Sequence, residues 1–225
     1  DNPLYTRKGS QFMFSVAATP PWSLWDGKDY KNMSDQDEAK FRMIEYHKWK
    51  FKAKIFSPLA PLTVKRTPVL MTRVEYGFLG SYNKYKKSPF ETFYMGGDGM
   101  SGYSSTYATE TIGLRGYENG SIAGNGGYNS YGYAYSRLSM ELRYPFLLEP
   151  SSTIYGLVFV EAGNAWRDLK DFNPFQLKRS AGVGVRIFLP MIGLMGIDWA
   201  YGFDRPDGYD QRGGSNFHFI IGQEF

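Results

Sequence analysis

Residues 179–189, Arg-Ser-Ala-Gly-Val-Gly-Val-Arg-Ile-Phe-Leu, alternate between apolar side chains and small or polar ones. One set consists of Ala181, Val183, Val185, Ile187 and Leu189, and the other contains Ser180, Gly182, Gly184 and Arg186. Successive side chains of a β-strand point to opposite faces, so a period of two residues predicts a strand with one apolar face.

The same alternation recurs along the chain and predicts eight strands. They are residues 12–18, 43–57, 69–80, 134–146, 153–163, 179–189, 191–203 and 214–225. Short, proline-containing connections at 57–67, 145–152 and 189–191 alternate with long ones at 19–40, 81–130, 167–177 and 204–213. Short turns on one rim and long loops on the other are typical of outer-membrane β-barrels.

Charged residues lie opposite the apolar face of nearly every predicted strand. Lys48, Lys50, Lys52 and Lys54, for example, share one face of the second strand. Polar inner faces suit a hydrated lumen, and aromatic residues near the strand ends, such as Trp49, Trp166 and Trp199, suit interfacial girdles. The sequence therefore predicts an all-β, antiparallel transmembrane β-barrel over residues 1–225. A water-soluble β-sandwich is the alternative that alternation alone leaves open.

Composition excludes several other classes of protein. Of the 225 residues, 18% are aromatic, which is incompatible with a disordered chain, and apolar runs long enough for a membrane-spanning helix are missing. The absence of cysteine excludes disulfides and thiolate metal sites, and a net charge of +4 is too small to predict a nucleic-acid partner. With two histidines, His47 and His218, and no nucleophile motif, we expect no catalytic site, metal or cofactor.

Four segments occur in an order that resembles a known family. They are Leu-Arg-Gly-Tyr at 114–117, Phe-Val-Glu-Ala-Gly-Asn-Ala-Trp at 159–166, Arg-Ser-Ala-Gly-Val-Gly-Val at 179–185, and the terminal strand at 217–225. Together they resemble the C-terminal half of the transmembrane barrel of the BamA family of bacterial outer-membrane protein assembly insertases, within a superfamily of POTRA-bearing transporters. The resemblance rests on motifs from about residue 93 onward and on strand rhythm before that.

The resemblance carries expectations about the architecture. The family's barrel has sixteen strands, so the eight strands of this chain are expected to form its C-terminal half. The chain starts at Asp1 without an initiator methionine or a signal peptide, which also suggests a fragment or a mature form. An eight-stranded barrel that closes on itself is the alternative.

The resemblance also implies a loop inside the lumen. The glycine- and tyrosine-rich connection at 81–130 is expected to fold inward, where Arg115 of the Arg115-Gly116-Tyr117 motif meets the wall acid Glu161. This acid belongs to a strand motif that also includes Phe159 and Gly163. The family usually has aspartate where this chain has Glu161, which keeps the charge and adds one methylene.

The last strand is the second site that the resemblance implies. In the family, this strand forms a lateral gate whose edge templates the strands of client barrels; here it contains Phe217, Phe219, Ile221, Gly222 and Phe225. Gly222 either bends the strand or makes room for a bulky neighbour. The expected partners are nascent outer-membrane proteins, accessory assembly lipoproteins and the lipids of the Gram-negative outer membrane. A two-partner secretion transporter and a passive porin-like channel remain alternatives.

Overall fold

Eight long strands form one antiparallel sheet. The computed structural model describes residues 5–99, 110–122, 131–149, 151–191 and 193–221. The long strands are β1 (Gly9–Ala18), β2 (His47–Pro58), β3 (Val69–Gly80), β6 (Ala134–Glu149), β7 (Ser152–Trp166), β8 (Lys178–Leu189), β9 (Gly193–Gly202) and β10 (Gly214–Ile221). Their order in the sheet is β1-β2-β3-β6-β7-β8-β9-β10, and every neighbouring pair is antiparallel. The prediction of eight antiparallel strands is confirmed.

Short elements occupy the long connections. Two three-residue strands, β4 (Phe93–Met95) and β5 (Glu110–Ile112), pair in parallel between β3 and β6. Helices α1 (Trp22–Trp25) and α2 (Glu38–Phe41) follow β1, and a 3-10 helix (Leu169–Asp171) follows β7. These elements are too short to show a hydrophobic period, so the sequence did not predict them.

The second strand begins at His47 and not at residue 43 as predicted. The preceding residues form part of the loop structure instead. The buried carboxylate of Glu45 accepts hydrogen bonds from the backbone N–H of Ser23 at 2.8 Å and from its hydroxyl group at 2.5 Å, which holds α1 against this segment. The alternating residues before His47 are therefore held by loop contacts.

The two faces of the sheet differ as the alternation predicts. Large apolar side chains are exposed on the outer face, including Phe12, Phe14, Met140, Leu142, Val158, Val160, Ile197, Trp199, Phe217 and Phe219. Charged side chains such as Arg73, Glu161 and Asp198 are buried on the inner face. A water-soluble sandwich would bury its apolar faces against each other, so that alternative is wrong.

The sheet curls so that its outermost strands approach each other. Gln11 and Met13 of β1 line the same inner cavity as Ile220 of β10, although these strands lie at opposite ends of the sheet order. Such curvature follows from the twist of a long antiparallel sheet. The inner faces of all eight strands therefore surround a common lumen.

Two apolar clusters lie inside the curled sheet. One contains Leu79, Phe93, Met95, Ile112, Leu114, Tyr117, Ile122, Tyr135 and Ala165, and the other contains Tyr5, Val69, Tyr155, Leu157, Phe159 and Ala200. Trp166, assigned to an interfacial girdle from its position near a strand end, is only 5% exposed and packs on Phe172 with ring centroids 4.8 Å apart. That assignment is wrong because the connection after β7 covers the ring. None of the helices in the described residues is long and apolar enough to cross a membrane.

Candidate functional site

The described part of the long connection between β3 and β6 is fastened to the inner wall. We call residues 110–122 the lumen loop. Backbone hydrogen bonds join it to residues near β4: Gly96 N–H donates to Ile112 O at 3.0 Å, and Ile122 N–H donates to Met95 O at 3.1 Å. Phe93 is in turn hydrogen-bonded to Gly132 at the start of the returning chain. These bonds and the apolar cluster around Phe93 hold the loop inside the curled sheet.

Arg115 lies at the centre of a buried ionic network. Its side chain has no exposed surface, and Nη2 lies 2.6 Å from a carboxylate oxygen of Glu141 and 2.7 Å from one of Glu161. Nη1 lies 3.0 Å from Asp198. The family resemblance implied a contact with Glu161 alone, whereas the structure brings three carboxylates from β6, β7 and β9 to this one guanidinium group.

Two further contacts fix the orientation of Arg115. Its backbone N–H donates to the second oxygen of Glu161 at 2.9 Å. Its guanidinium group lies over the ring of Phe159, 3.5 Å from the ring centroid, which is a favourable cation–π geometry. Phe159 and Glu161, two residues apart on the inner face of β7, therefore act together on the same arginine.

Each of the three carboxylates is shared with an arginine of the wall. Arg137 lies 2.9 Å from Glu161, Arg143 lies 2.8 Å from Glu141, and Arg186 lies 2.5 Å from Asp198. A buried carboxylate without a cationic partner would be strongly destabilising. Shared pairing explains how this part of the lumen accommodates so many charges.

The environment of Arg115 keeps it charged. Burial by itself lowers the pKa of Arg115, but the neighbouring carboxylates of Glu161, Glu141 and Asp198 outweigh it and raise the pKa above its ordinary value. The guanidinium group is therefore a permanent cation, and the contact works by electrostatics and geometry rather than by proton transfer.

Gly116 brings the lumen loop into contact with the C-terminal strands. Its φ angle is 88°, in the left-handed region that favours glycine. A Cβ atom at this position would lie 2.9 Å from the backbone nitrogen of Gly202 and 2.9 Å from Cβ of Ser180. The N–H of Gly116 donates to Nε2 of His218 at 2.9 Å, which ties the loop directly to β10.

Tyr117 anchors the same turn at the start of β8. Its hydroxyl group donates to the backbone oxygen of Arg179 at 2.6 Å and accepts from the backbone N–H of Asp204 at 3.3 Å. Burial raises the pKa of Tyr117 to about 12, so the hydroxyl group stays protonated and available as a donor. All three residues of the predicted Arg115-Gly116-Tyr117 motif thus contact the wall.

Gly163 completes the set predicted on β7. A side chain there would extend toward the loop: its Cβ atom would lie 2.4 Å from Cε of Met95 and 3.0 Å from the backbone oxygen of Ser136. Phe159, Glu161 and Gly163 all face inward, as the alternation predicts. The absent side chain of Gly163 leaves space for Met95 of β4.

The predicted residues of the last strand lie apart from this network. Phe217, Phe219 and Ile221 are 68%, 58% and 65% exposed on the outer face of β10. Gly222 and Phe225 lie outside the described residues. The strand reaches the lumen loop through His218, which is on its inner face.

The sequence did not indicate four contacts of the lumen loop, those with Glu141, Asp198, His218 and the lysine face of β2. The alternation places Glu141, Asp198 and His218 opposite the apolar faces of their strands, but their meeting at Arg115 and Gly116 depends on the register of the strands. The lysine face of β2 also holds the loop, because Lys48 and Lys50 lie 3.1 Å and 3.0 Å from Glu110. Among the described residues, no group of three or more His, Asp or Glu side chains is placed so that it could hold a metal ion.

The model of the Omp85 superfamily domain matches residues 6–225. Among solved structures, the chain is similar to BamA from Haemophilus ducreyi lacking POTRA domains 1–3, at 20% sequence identity and a TM-score of 0.59. The match covers 95% of this chain and 38% of that protein, so the chain spans well under half of its length. No curated protein was found to match.

Proposed function

Because the chain belongs to the Omp85 superfamily, we propose that it is the C-terminal part of an outer-membrane protein assembly factor. In this proposal it acts as an insertase that folds client β-barrels into the bacterial outer membrane by templating their strands at a lateral gate. The activity requires no covalent chemistry. The predicted resemblance to a BamA-type barrel is confirmed for the family and the fold, and the insertase activity is the step beyond them.

The observation that carries the proposal is the link between the lumen loop and β10. Gly116 of the loop is hydrogen-bonded to His218, and β10 is the last strand in the sheet order. Within the described residues, β10 pairs with β9 alone. A strand that ends a sheet and is held from inside by a loop is suited to present its outer edge in one position.

In a bilayer, such an edge strongly favours pairing with another strand. Backbone N–H and C=O groups without partners cost several kcal/mol each in hydrocarbon, on the order of the loss of a strong hydrogen bond. An incoming client strand that pairs with the edge removes this cost by β-augmentation. The exposed Phe217 and Phe219 on the outer face of β10 would contact lipid beside this edge.

The proposed partners follow from this role. Nascent outer-membrane proteins would pair with β10, outer-membrane lipids would contact the apolar outer face, and accessory assembly lipoproteins would act on the complete protein. The superfamily and the barrel fold support an outer-membrane location.

The test is site-specific disulfide cross-linking to a stalled client. The chain has no cysteine, so Phe219→Cys introduces a single thiol on β10. Ile197→Cys is a matched control: Ile197 is the direct partner of Phe219 on β9 and is similarly exposed, at 53% against 58%. Gln11→Cys reports on the lumen, because Gln11 lines the inner cavity. Each variant of the full-length protein is combined with clients that carry cysteines along their terminal strand.

Strand templating predicts strong cross-links at Phe219→Cys and weak ones at Ile197→Cys, since only the former lies on the last strand. Cross-links confined to Gln11→Cys would instead indicate a client threaded through the lumen, as in a secretion transporter. If the client forms no cross-link at any of the three positions and the channel conductance is large and steady, a passive channel is favoured. Either of these last two results contradicts the proposal.

A further inference from the structure

A cavity of about 310 Å³ lies between the lumen loop and the inner faces of several strands. Its lining includes Gln11, Lys52, Lys54, Arg73, Arg137 and Ile220. The carboxylates of Glu75 and Asp98 also belong to the lining, together with Thr111 and Gly113 of the lumen loop. The cavity adjoins the ionic network around Arg115 through Arg137, which lines the cavity and pairs with Glu161.

Arg73 is the unusual residue in this lining. It lies on the inner face of β3 and is only 2% exposed. Its Nε and Nη2 atoms are buried, and neither has a hydrogen-bond partner in the part of the chain that the structure describes. Arg115, Arg137, Arg143 and Arg186, the other buried arginines, each lie within 2.9 Å of a carboxylate oxygen. Glu75 and Glu141 are close enough to attract Arg73, but burying guanidinium N–H groups without acceptors is still costly, so Arg73 needs an explanation.

The buried charges around the cavity do not balance. The buried charged side chains of β3, β6–β9 and the lumen loop, within the described ranges, comprise five arginines (Arg73, Arg115, Arg137, Arg143, Arg186) and four carboxylates (Glu75, Glu141, Glu161, Asp198). One positive charge is therefore in excess. Glu75, the carboxylate next along the strand, lies 3.9 Å from Arg137. Of these five arginines, Arg73 is the one that has no hydrogen bond to a carboxylate in the described residues.

We propose that the cavity beside Arg73 binds a phosphate-type oxyanion, with Arg73 as the principal ligand and Lys52 and Lys54 as supporting cations. The planar fork of an arginine donates two parallel hydrogen bonds to an oxyanion, and its Nε and Nη2 form one side of that fork. Lys54 is the direct cross-strand partner of Arg73, and Lys52 lies two residues away on the same face of β2. Three cations thus approach the cavity from two adjacent strands.

The chemistry admits two sources of the anion, free phosphate and a phosphorylated lipid head group. The experiment is isothermal titration calorimetry of the full-length protein in non-ionic detergent, with inorganic phosphate in one arm and glycerol 3-phosphate in the other. Ionic strength is held constant with sodium chloride so that general screening does not change. We expect saturable binding by the wild type, which assigns free phosphate if the inorganic ion binds at least as tightly, and a head group if glycerol 3-phosphate binds more tightly.

Variants decide whether Arg73 is the ligand. Arg73→Met keeps the length of the side chain without its charge, and we expect it to weaken binding about tenfold or more. Arg66→Met is the matched control, because Arg66 is exposed in the turn between β2 and β3, and its affinity should match the wild type. Lys54→Met, expected to weaken binding about threefold to tenfold, provides an independent test if Arg73→Met does not fold.

Three outcomes would overturn the proposal. They are equal affinity in the wild type and Arg73→Met, equal loss in the Arg66→Met control, and no saturable heat with either ligand up to about 20 mM, which is beyond the range of a useful site. Binding is measured on the purified protein without a client. Failure of this test is therefore separate from failure of the assembly function.

Discussion

The backbone N–H of Gly116 donates a 2.9 Å hydrogen bond to Nε2 of His218, and this bond joins the lumen loop to the last strand of the sheet. As an acceptor, Nε2 must be unprotonated, so the neutral ring carries its proton on Nδ1. The two residues are 102 positions apart in the chain, and both lie beside the Arg115 network. This hydrogen bond therefore holds the turn at Gly116 against β10.

We expect His218→Leu to loosen the lumen loop. The substitution leaves the buried N–H of Gly116 without an acceptor, at a cost of about 1–3 kcal/mol. Hydrogen exchange of the peptide covering residues 110–122 should accelerate about tenfold or more. His47→Leu is the control, because His47 lies on β2, where it accepts a hydrogen bond from Trp49, and it does not contact this loop in the described structure. Equal exchange in both variants would contradict the coupling.

Arg115→Ala should impair assembly activity more than folding of the wall. Each carboxylate that loses Arg115 keeps its own wall arginine, so the loss of stability should be about 1–3 kcal/mol, below the usual cost of breaking a buried pair. Activity is measured as rescue of growth and of client levels in a strain depleted of the wild-type protein. Arg115→Lys, which cannot contact three carboxylates in this geometry, should restore little. Wild-type assembly by Arg115→Ala would rule out a role for the contact.

Removing Arg73 should leave thermal stability unchanged or raise it, whereas removing a paired arginine should lower it. In phosphate-free buffer, Arg73→Met deletes a buried charge that has no hydrogen-bonded anion among the described residues, so we expect thermal stability to be unchanged or higher. Arg186→Met deletes one half of a pair with 2.5 Å and 2.8 Å contacts to Asp198, and should destabilise the protein by about 2–4 kcal/mol. Thermal melting followed by circular dichroism compares the stabilities of the two variants. Destabilisation of the same size in both would contradict the prediction.

Gly116→Ala should destabilise the protein more than the backbone angle alone explains. The alanine methyl group would meet the backbone nitrogen of Gly202, which cannot rotate away, so we expect a cost of about 2–4 kcal/mol. Gly193→Ala isolates the backbone contribution. Gly193 has a φ of 90°, and its Cβ would meet nothing within 4 Å, so the cost there should be about 1 kcal/mol. The same melting measurement compares the two, and equal losses would show that close packing at Gly116 is unimportant.

The strands could be predicted from the sequence because each carries its own signal. Alternation of the kind seen at Val183 and Arg186 depends only on neighbouring residues, and it gave both the strands and their inward faces. The partners of Arg115 could not be predicted in the same way. Glu141, Glu161 and Asp198 lie on three strands, and their meeting depends on register and on the curl of the sheet. The family resemblance indicated Glu161 as a partner of Arg115, whereas Glu141 and Asp198 can be recognised as partners only in the folded structure.

His218 illustrates the same limit. It alternates with Phe217 and Phe219 and so lies opposite the apolar face of the last strand, but nothing in the neighbouring sequence indicates that it accepts a hydrogen bond from a residue so distant in the chain. Short elements such as β4 and α1 were missed for a related reason, since three or four residues contain too little pattern. Contacts that long loops make with a curved wall are properties of the folded structure.

The shared pairing of the carboxylates has a consequence for the order of folding. Without Arg115, the buried charges of β3 and β6–β9 in the described ranges balance: Arg73, Arg137, Arg143 and Arg186 against Glu75, Glu141, Glu161 and Asp198. The strands can therefore complete their sheet as an electroneutral unit before the loop arrives. Entry of Arg115 would then be a late and separable step, one that can be reversed while Glu141, Glu161 and Asp198 each keep a wall arginine.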